Sequence, residues 1–110
     1  AFGHLTAKYL EDPSATGRIT LFPAFGQRYE KPNVRPAVEA YAALARRHDL
    51  TPSELALAFV AGRPFVGSTI VGATTLTQLN ANLRACERSL DAGVLAEIDA
   101  LHLQFTNPAP

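Results

Sequence analysis

Four residues limit what this chain can be: Ser68-Thr69-Ile70-Val71, a short β-branched and uncharged run set between helical patterns. Such a run suits a fully buried strand. A buried strand must hydrogen-bond to neighbours on both sides, and the rest of the chain supplies none. The order is helices, one parallel-type strand, then helices, which is the pattern at the end of a β/α barrel whose remainder lies elsewhere. The chain also opens on Ala1-Phe2-Gly3, inside what reads as a motif already under way. With 110 residues it makes one domain at most. The expectation is that residues 1–110 form the C-terminal portion of a single barrel domain whose N-terminal part is missing.

The segment after the strand has a chemistry of its own. Gly72 permits a sharp exit, and Thr74 or Thr75 can cap the next helix. With Thr75 as cap, Gln78 stands three residues on and completes a capping box. Leu76, Leu79 and Leu83 share one helical face, and Thr75, Gln78 and Asn82 group on the opposite side. A turn and helix that present backbone amides and a row of polar side chains make a place for an anion or a nucleotide. On spacing alone, an ordinary strand, turn and surface helix is the better fit.

The other helices announce themselves by their ends. Thr51-Pro52-Ser53-Glu54 is a capping box with proline in the first helical position, opening the apolar run Leu55 to Ala61 that Gly62 ends. That run is apolar nearly all round, so it belongs between layers. Asn33 is placed to cap an earlier helix with the stripe Val34, Val38, Tyr41 and Ala45, and Arg46, Arg47 and His48 suit its C-terminal dipole. Asp91 caps a last helix from Ala92 to about Phe105, with Val94, Ile98, Leu101 and Phe105 on one stripe. Between Glu11 and Lys31 runs a long loop punctuated by Ile19, Leu21, Phe22, Phe25 and Tyr29, too apolar for a mere linker.

Composition removes several classes of function. A formal net charge of zero, with no basic block, argues against nucleic acid or an anionic membrane surface as partner. No apolar run reaches the length of a membrane span. A single Cys86, on the leucine side of its helix, excludes an internal disulfide and reads as buried packing in a reducing compartment, the cytoplasm by default. His4, His48 and His102 are too scattered for zinc. No nucleophile elbow, P-loop or Rossmann glycine pattern is present. The residues offer a candidate cradle and no reaction centre.

Two stretches resemble the aldo-keto reductase family, and the likeness runs essentially the whole chain. Ala1-Phe2-Gly3-His4-Leu5-Thr6-Ala7-Lys8-Tyr9 is similar to the family's Gly-x-x-x-Gly-Lys-Tyr pattern, with Ala7 where the second glycine is usual. Ser68 to Asn82 resembles its last barrel strand and cofactor helix through Gly-Ala-Thr-Thr-x-x-Gln-Leu-x-x-Asn. The ending Asn107-Pro108-Ala109-Pro110, with Thr20-Leu21-Phe22, looks most like the bacterial Tas-type NADP(H)-dependent branch. The resemblance implies an α/β fold, the C-terminal part of a (β/α)8 TIM barrel, mostly helical here with one clear buried strand. It implies NADP(H) as cofactor and hydride transfer to a small-molecule carbonyl substrate, an aldehyde or ketone, without metal or flavin.

Carried over by position, Phe2 and Gly3 approach the cofactor diphosphate with Lys8 nearby, and Arg18 supplies a cation from the long loop. Gly72 and Thr74 lie by the adenosine 2′-phosphate, and Gln78 and Asn82 contact phosphate-ribose and adenine. Many members carry Lys-Ser where Gly72-Ala73 stands, and a carboxylate or Gln where Ala81 stands. The family's catalytic Asp, Tyr, Lys and His all belong to earlier strands. Tyr9, Tyr29 and Tyr41 are not that Tyr, and Lys8 is not that Lys. The expected catalytic set within residues 1–110 is therefore empty. A cofactor-sensing channel β-subunit on the same barrel, or an inactive remnant, is the competing expectation. Oligomeric state is not set by any of these residues.

Overall fold

The computed structural model describes residues 1–110, the Pro23 side chain excepted. Its regular elements are helices: α1 (Lys8–Glu11), α2 (Arg18–Leu21), α3 (Val34–Arg47), α4 (Pro52–Ala61), α5 (Leu76–Glu87) and α6 (Ala92–Gln104). Single 3-10 turns occupy His4–Thr6, Pro23–Phe25 and Gln27–Tyr29.

Three helices start where their cap chemistry dictates. Thr51 accepts from the Glu54 amide at 3.2 Å while the Glu54 carboxylate accepts from the Thr51 amide at 2.7 Å, the full box. Asp91 accepts from the Val94 amide at 2.9 Å. Thr75 accepts from the Gln78 amide at 3.2 Å. The fourth departs from expectation: Asn33 holds the N-cap position of α3 but is already helical in backbone and makes no side-chain cap bond.

The core lies where α3, α4 and α6 meet. Leu44 and Ala45 of α3, Leu50, Leu55 of α4, and Val94 and Ile98 of α6 are buried together, with Tyr41, Phe59 and Leu101 half-buried around them. The Val34, Val38, Ala45 stripe of α3 is thus inside, as its spacing requires. A second cluster joins Ala7 to Val34, Val38 and Ala42, with Leu10, Tyr29 and Ala109 against it. That cluster seats the N-terminal segment on α3. Glu97 of α6 pairs with Arg47 and, at 2.8 Å, with His48, which ties the end of α3 to α6. Those two partners, Arg47 foremost, hold its carboxyl below the ordinary range.

Helix α4 packs against α3 on one side and α5 on another. It is less covered than its all-round apolar run leads one to expect: Leu55 and Ala58 are buried, and Val60 is 37% exposed. Between α3, α4 and α6 opens an apolar groove of about 460 Å³, lined by Leu5, Val38, Tyr41, Leu55, Phe59 and Ile98.

Three expectations fail here, for one reason. Ser68–Val71 is not a strand, no strand occurs among the described residues, and Ile70 is 98% exposed. A strand exists only as a ladder, and no neighbouring strand is present to complete one. The leucine face of α5 is also bare. Leu76 is 78% and Leu83 54% exposed, while the buried residue of the helix is Ala85, which turns toward α4. Cys86 is half-buried instead of inside. Each of these side chains belongs to a surface that residues 1–110 do not cover.

Candidate nucleotide-binding site

The eight residues expected to hold a cofactor fall into two clusters. The first is the N-terminal turn. Phe2 has φ 50° and Gly3 φ 92°, so the chain reverses through left-handed backbone immediately before the 3-10 turn at His4. Glycine is favoured at residue 3, because a side chain is strained at φ 92° and a Cβ there would stand 2.9 Å from Lys8 Cε, which would have to shift. Ala7, at φ 61°, occupies the left-handed position that a glycine would take without cost, and it carries about 1 kcal/mol of strain for its methyl group. Its burial against α3 offsets part of that.

Aromatic packing fixes this turn. The Phe2 ring stands edge-on to Phe25 at 6.1 Å and to Tyr29 at 5.8 Å. His4 stacks on Tyr29 at 4.4 Å, and its Nε2 is buried without a hydrogen-bond partner among the described residues. Burial accordingly pushes the His4 pKa below the ordinary imidazole value. Tyr9 Oη donates to the Phe2 carbonyl at 3.1 Å, and Lys8 Nζ donates to the Thr16 carbonyl at 3.0 Å. The Arg18 guanidinium lies 5.5 Å over the Phe2 ring. Phe2, Gly3, Lys8 and Arg18 are therefore brought together. Phe25 and Tyr29 are the supports that residue-by-residue carry-over missed. Their signal was the aromatic punctuation of the long loop.

The second cluster is the turn into α5. Gln78 Oε1 accepts from the Thr74 amide at 2.9 Å and from the Thr74 hydroxyl at 3.0 Å. The expected capping box is thus half made: Thr75 caps, but Gln78 bonds to Thr74 instead of the Thr75 amide. Asn82 Nδ2 donates to the Gly72 carbonyl at 3.3 Å. Two side chains on successive turns of α5 thereby fold the Gly72–Thr75 turn back over the helix. Gly72, Thr74, Gln78 and Asn82 are all drawn into this one unit.

What the unit leaves open is a set of donors. The amides of Leu76 and Thr77 have no acceptor among the described residues, as befits the first two positions of a helix, and neither has Gln78 Nε2. Donors at the positive end of a helix fit the phosphate and ribose oxygens of a nucleotide. No group of three or more His, Cys, Asp or Glu among the described residues is placed to hold a metal. The two clusters are not joined by a hydrogen bond, ion pair or aromatic contact among the described residues. Helix α4 packs on α5 on one side and on the His4–Thr6 turn on another, so it stands between them.

The aldo/keto reductase family profile matches residues 1–102. Protein tas of Escherichia coli strain K12 is 49% identical over 110 residues, an alignment spanning 99% of this chain and 32% of that protein. An aldo-keto reductase of Babesia bovis is 37% identical over 113 residues, spanning 98% of this chain and 40% of its own length. A Schizosaccharomyces pombe protein whose name is that of a voltage-gated potassium channel subunit beta is 32% identical over 110 residues, 94% of this chain and 32% of that one. The chain thus spans about a third of the length of these relatives.

Proposed function

The chain belongs to the aldo/keto reductase family, and from that premise we propose that it is the cofactor-holding C-terminal part of an NADP(H)-dependent reductase of aldehydes or ketones. The observation that carries this reading is the unit built by Gly72, Thr74, Gln78 and Asn82, which pins a turn to the start of α5 and leaves helix-end donors open. Bound NADPH supplies the hydride. This chain's own residues bind and orient: the α5 unit holds the adenosine end, and Phe2, Gly3, Lys8 and Arg18 hold the diphosphate. Arg18 is carried by a loop that packs back on Phe2, so the same contacts that close the loop also fix the turn. The proton donor and the groups that tune it lie on strands outside residues 1–110, and the chain contributes no catalytic side chain. The compartment that fits this chemistry and the lone Cys86 is the cytoplasm.

A titration of the complete reductase with NADPH, followed by cofactor fluorescence, tests the reading. Asn82→Leu removes the bond to the Gly72 carbonyl and is expected to weaken NADPH binding about fivefold, the worth of one hydrogen bond. Unchanged binding in Asn82→Leu, together with unchanged binding in Thr74→Val, would sink it.

The similarity to the channel-subunit relative supports a second reading, in which the same barrel binds cofactor as a sensor. A Tyr and a Lys at the family's catalytic positions upstream, with turnover of an aldehyde, decide for the reductase. Cofactor binding without turnover decides for the sensor.

A further inference from the structure

The residues after α6 do not trail into solvent. Thr106 Oγ1 donates to the His102 carbonyl at 3.1 Å, which closes the helix, and Asn107 then turns the chain at φ 50°. Asparagine is one of the few side chains that tolerate this left-handed backbone. Pro108 and Ala109 are half-buried beyond the turn, and Pro108 and Pro110 restrict the backbone on either side of Ala109. Ala109 packs on the cluster of Ala7, Val34, Val38 and Ala42. The segment after α6 therefore meets, on α3, the turn at the other end of the chain.

Ala7 is the pivot of that turn. It joins the 3-10 turn His4–Thr6 to α1, is 1% exposed, and holds φ 61°, an unfavourable backbone for a residue with a methyl group. Its amide donates to the His4 carbonyl at 3.0 Å and the Thr6 amide to the Gly3 carbonyl at 3.2 Å, so what holds Ala7 also holds Gly3. Tyr29 packs on the same cluster, stacks on His4 and stands edge-on to Phe2. We propose that Asn107–Pro110 is a positioning segment for the diphosphate-binding turn. Through Ala109 it completes the cluster that seats Ala7 and Tyr29, and so keeps Phe2, Gly3 and Lys8 in the conformation that takes the cofactor. This rests on the cofactor-binding reading above and adds to it residues that touch no ligand. A strained backbone persists only where its surroundings over-determine it. With Ala109 displaced, Ala7 leaves the left-handed region and the turn goes with it.

The test pairs NADPH titration with amide hydrogen exchange, both on the complete protein. Asn107→Val sets a β-branched residue in the left-handed turn, and Ala109→Asp sets a charge against the apolar cluster. Each is expected to speed exchange of the Thr6 and Ala7 amides about tenfold in the cofactor-free protein, while the Leu79 amide, bonded to the Thr75 carbonyl in α5, keeps its rate. Each is also expected to weaken NADPH binding about five- to tenfold, because a turn competent a tenth of the time lowers the apparent affinity by that factor. Asn107→Gly keeps the left-handed turn and is expected to stay within about twofold of the native protein in both measurements. Native exchange at Thr6 and Ala7 in both disruptive variants overturns the proposal and leaves the cofactor reading standing. So does faster exchange there with NADPH binding unchanged. Equal acceleration at Leu79 would show general loosening and also refutes the positioning role. A native protein that does not bind NADPH overturns the cofactor reading, and the proposal with it.

Discussion

Prepared as residues 1–110 alone, the chain is expected to show no cooperative melt and no carbonyl reduction. A folded monomer of 11.8 kDa exposes about 5,900 Å². This one exposes 7431 Å², roughly 1,500 Å² more than that scaling allows. If somewhat over half of the surplus is apolar, as on an average surface, covering it would be worth about 20 kcal/mol. The whole stability of an ordinary domain is about 5–15 kcal/mol, so the missing burial exceeds any margin the chain could hold. The surplus sits on particular residues: Ile70 at 98% exposed, Phe65 at 83%, Leu103 at 80% and Leu76 at 78%. Among the described residues seven large apolar side chains are buried and twelve stand in solvent, which leaves the α3–α4–α6 core too small to order the rest. The assay is differential scanning calorimetry beside a dye-binding measurement of exposed apolar surface, followed by NADPH consumption with a panel of aldehydes and ketones. A single sharp transition with equal calorimetric and van't Hoff enthalpies would refute the burial argument. Measurable turnover would refute the placement of the catalytic groups outside residues 1–110.

Within the complete protein, Leu44→Ala empties the one fully buried large side chain of the α3–α4–α6 core and is expected to cost about 3 kcal/mol, read from the denaturant midpoint. Thr51→Ala removes the acceptor of the Glu54 amide, which costs about 1 kcal/mol and shows as roughly fivefold faster exchange of the first-turn amides of α4. Hydrogen bonds from the Thr51 amide and hydroxyl hold the Glu54 carboxyl below its ordinary range. Because the folded value is the lower one, that stabilisation is complete above the unfolded Glu pKa of about 4.3 and is lost as pH falls through the folded value. An exchange-rate profile that stays flat through this window would exclude the carboxylate from the cap. Gly17→Ala places a methyl group against Tyr9 Oη and within 2.6 Å of Lys8 Nζ. Both side chains must swing away, giving up their bonds to the Phe2 and Thr16 carbonyls, so trypsin is expected to cut faster at Arg18 and Arg28.

The candidate site was legible in parts. Gly3 and the row Thr74, Gln78 and Asn82 could be named because a left-handed turn and a polar helix face leave a local mark on residue type. Their hydrogen-bond partners could not. Spacing alone assigns Gln78 to the Thr75 amide, yet it reaches Thr74, because the Gly72 exit folds the turn over the helix. The supports of Phe2 were less legible still. Tyr29 lies 27 residues from Phe2, across a loop whose path no periodicity describes.

By itself, the order of residues determined the helix starts at Thr51, Thr75 and Asp91, the inward stripe of α3 and the family. Each depends on groups within a few positions of one another, or on motifs that survive without coordinates. Only the tertiary structure decided the fate of the uncharged run at Ser68–Val71. Its composition demands a strand, but a strand is a property of a pair, and its partners would come from elsewhere in a barrel. The leucines of α5 follow the same rule. Periodicity identifies an apolar face, and what lies against that face decides whether it is core. Here Ala85 is buried while Leu76 and Leu83 face water, because in residues 1–110 α5 packs chiefly against α4, where a barrel would give it several neighbours.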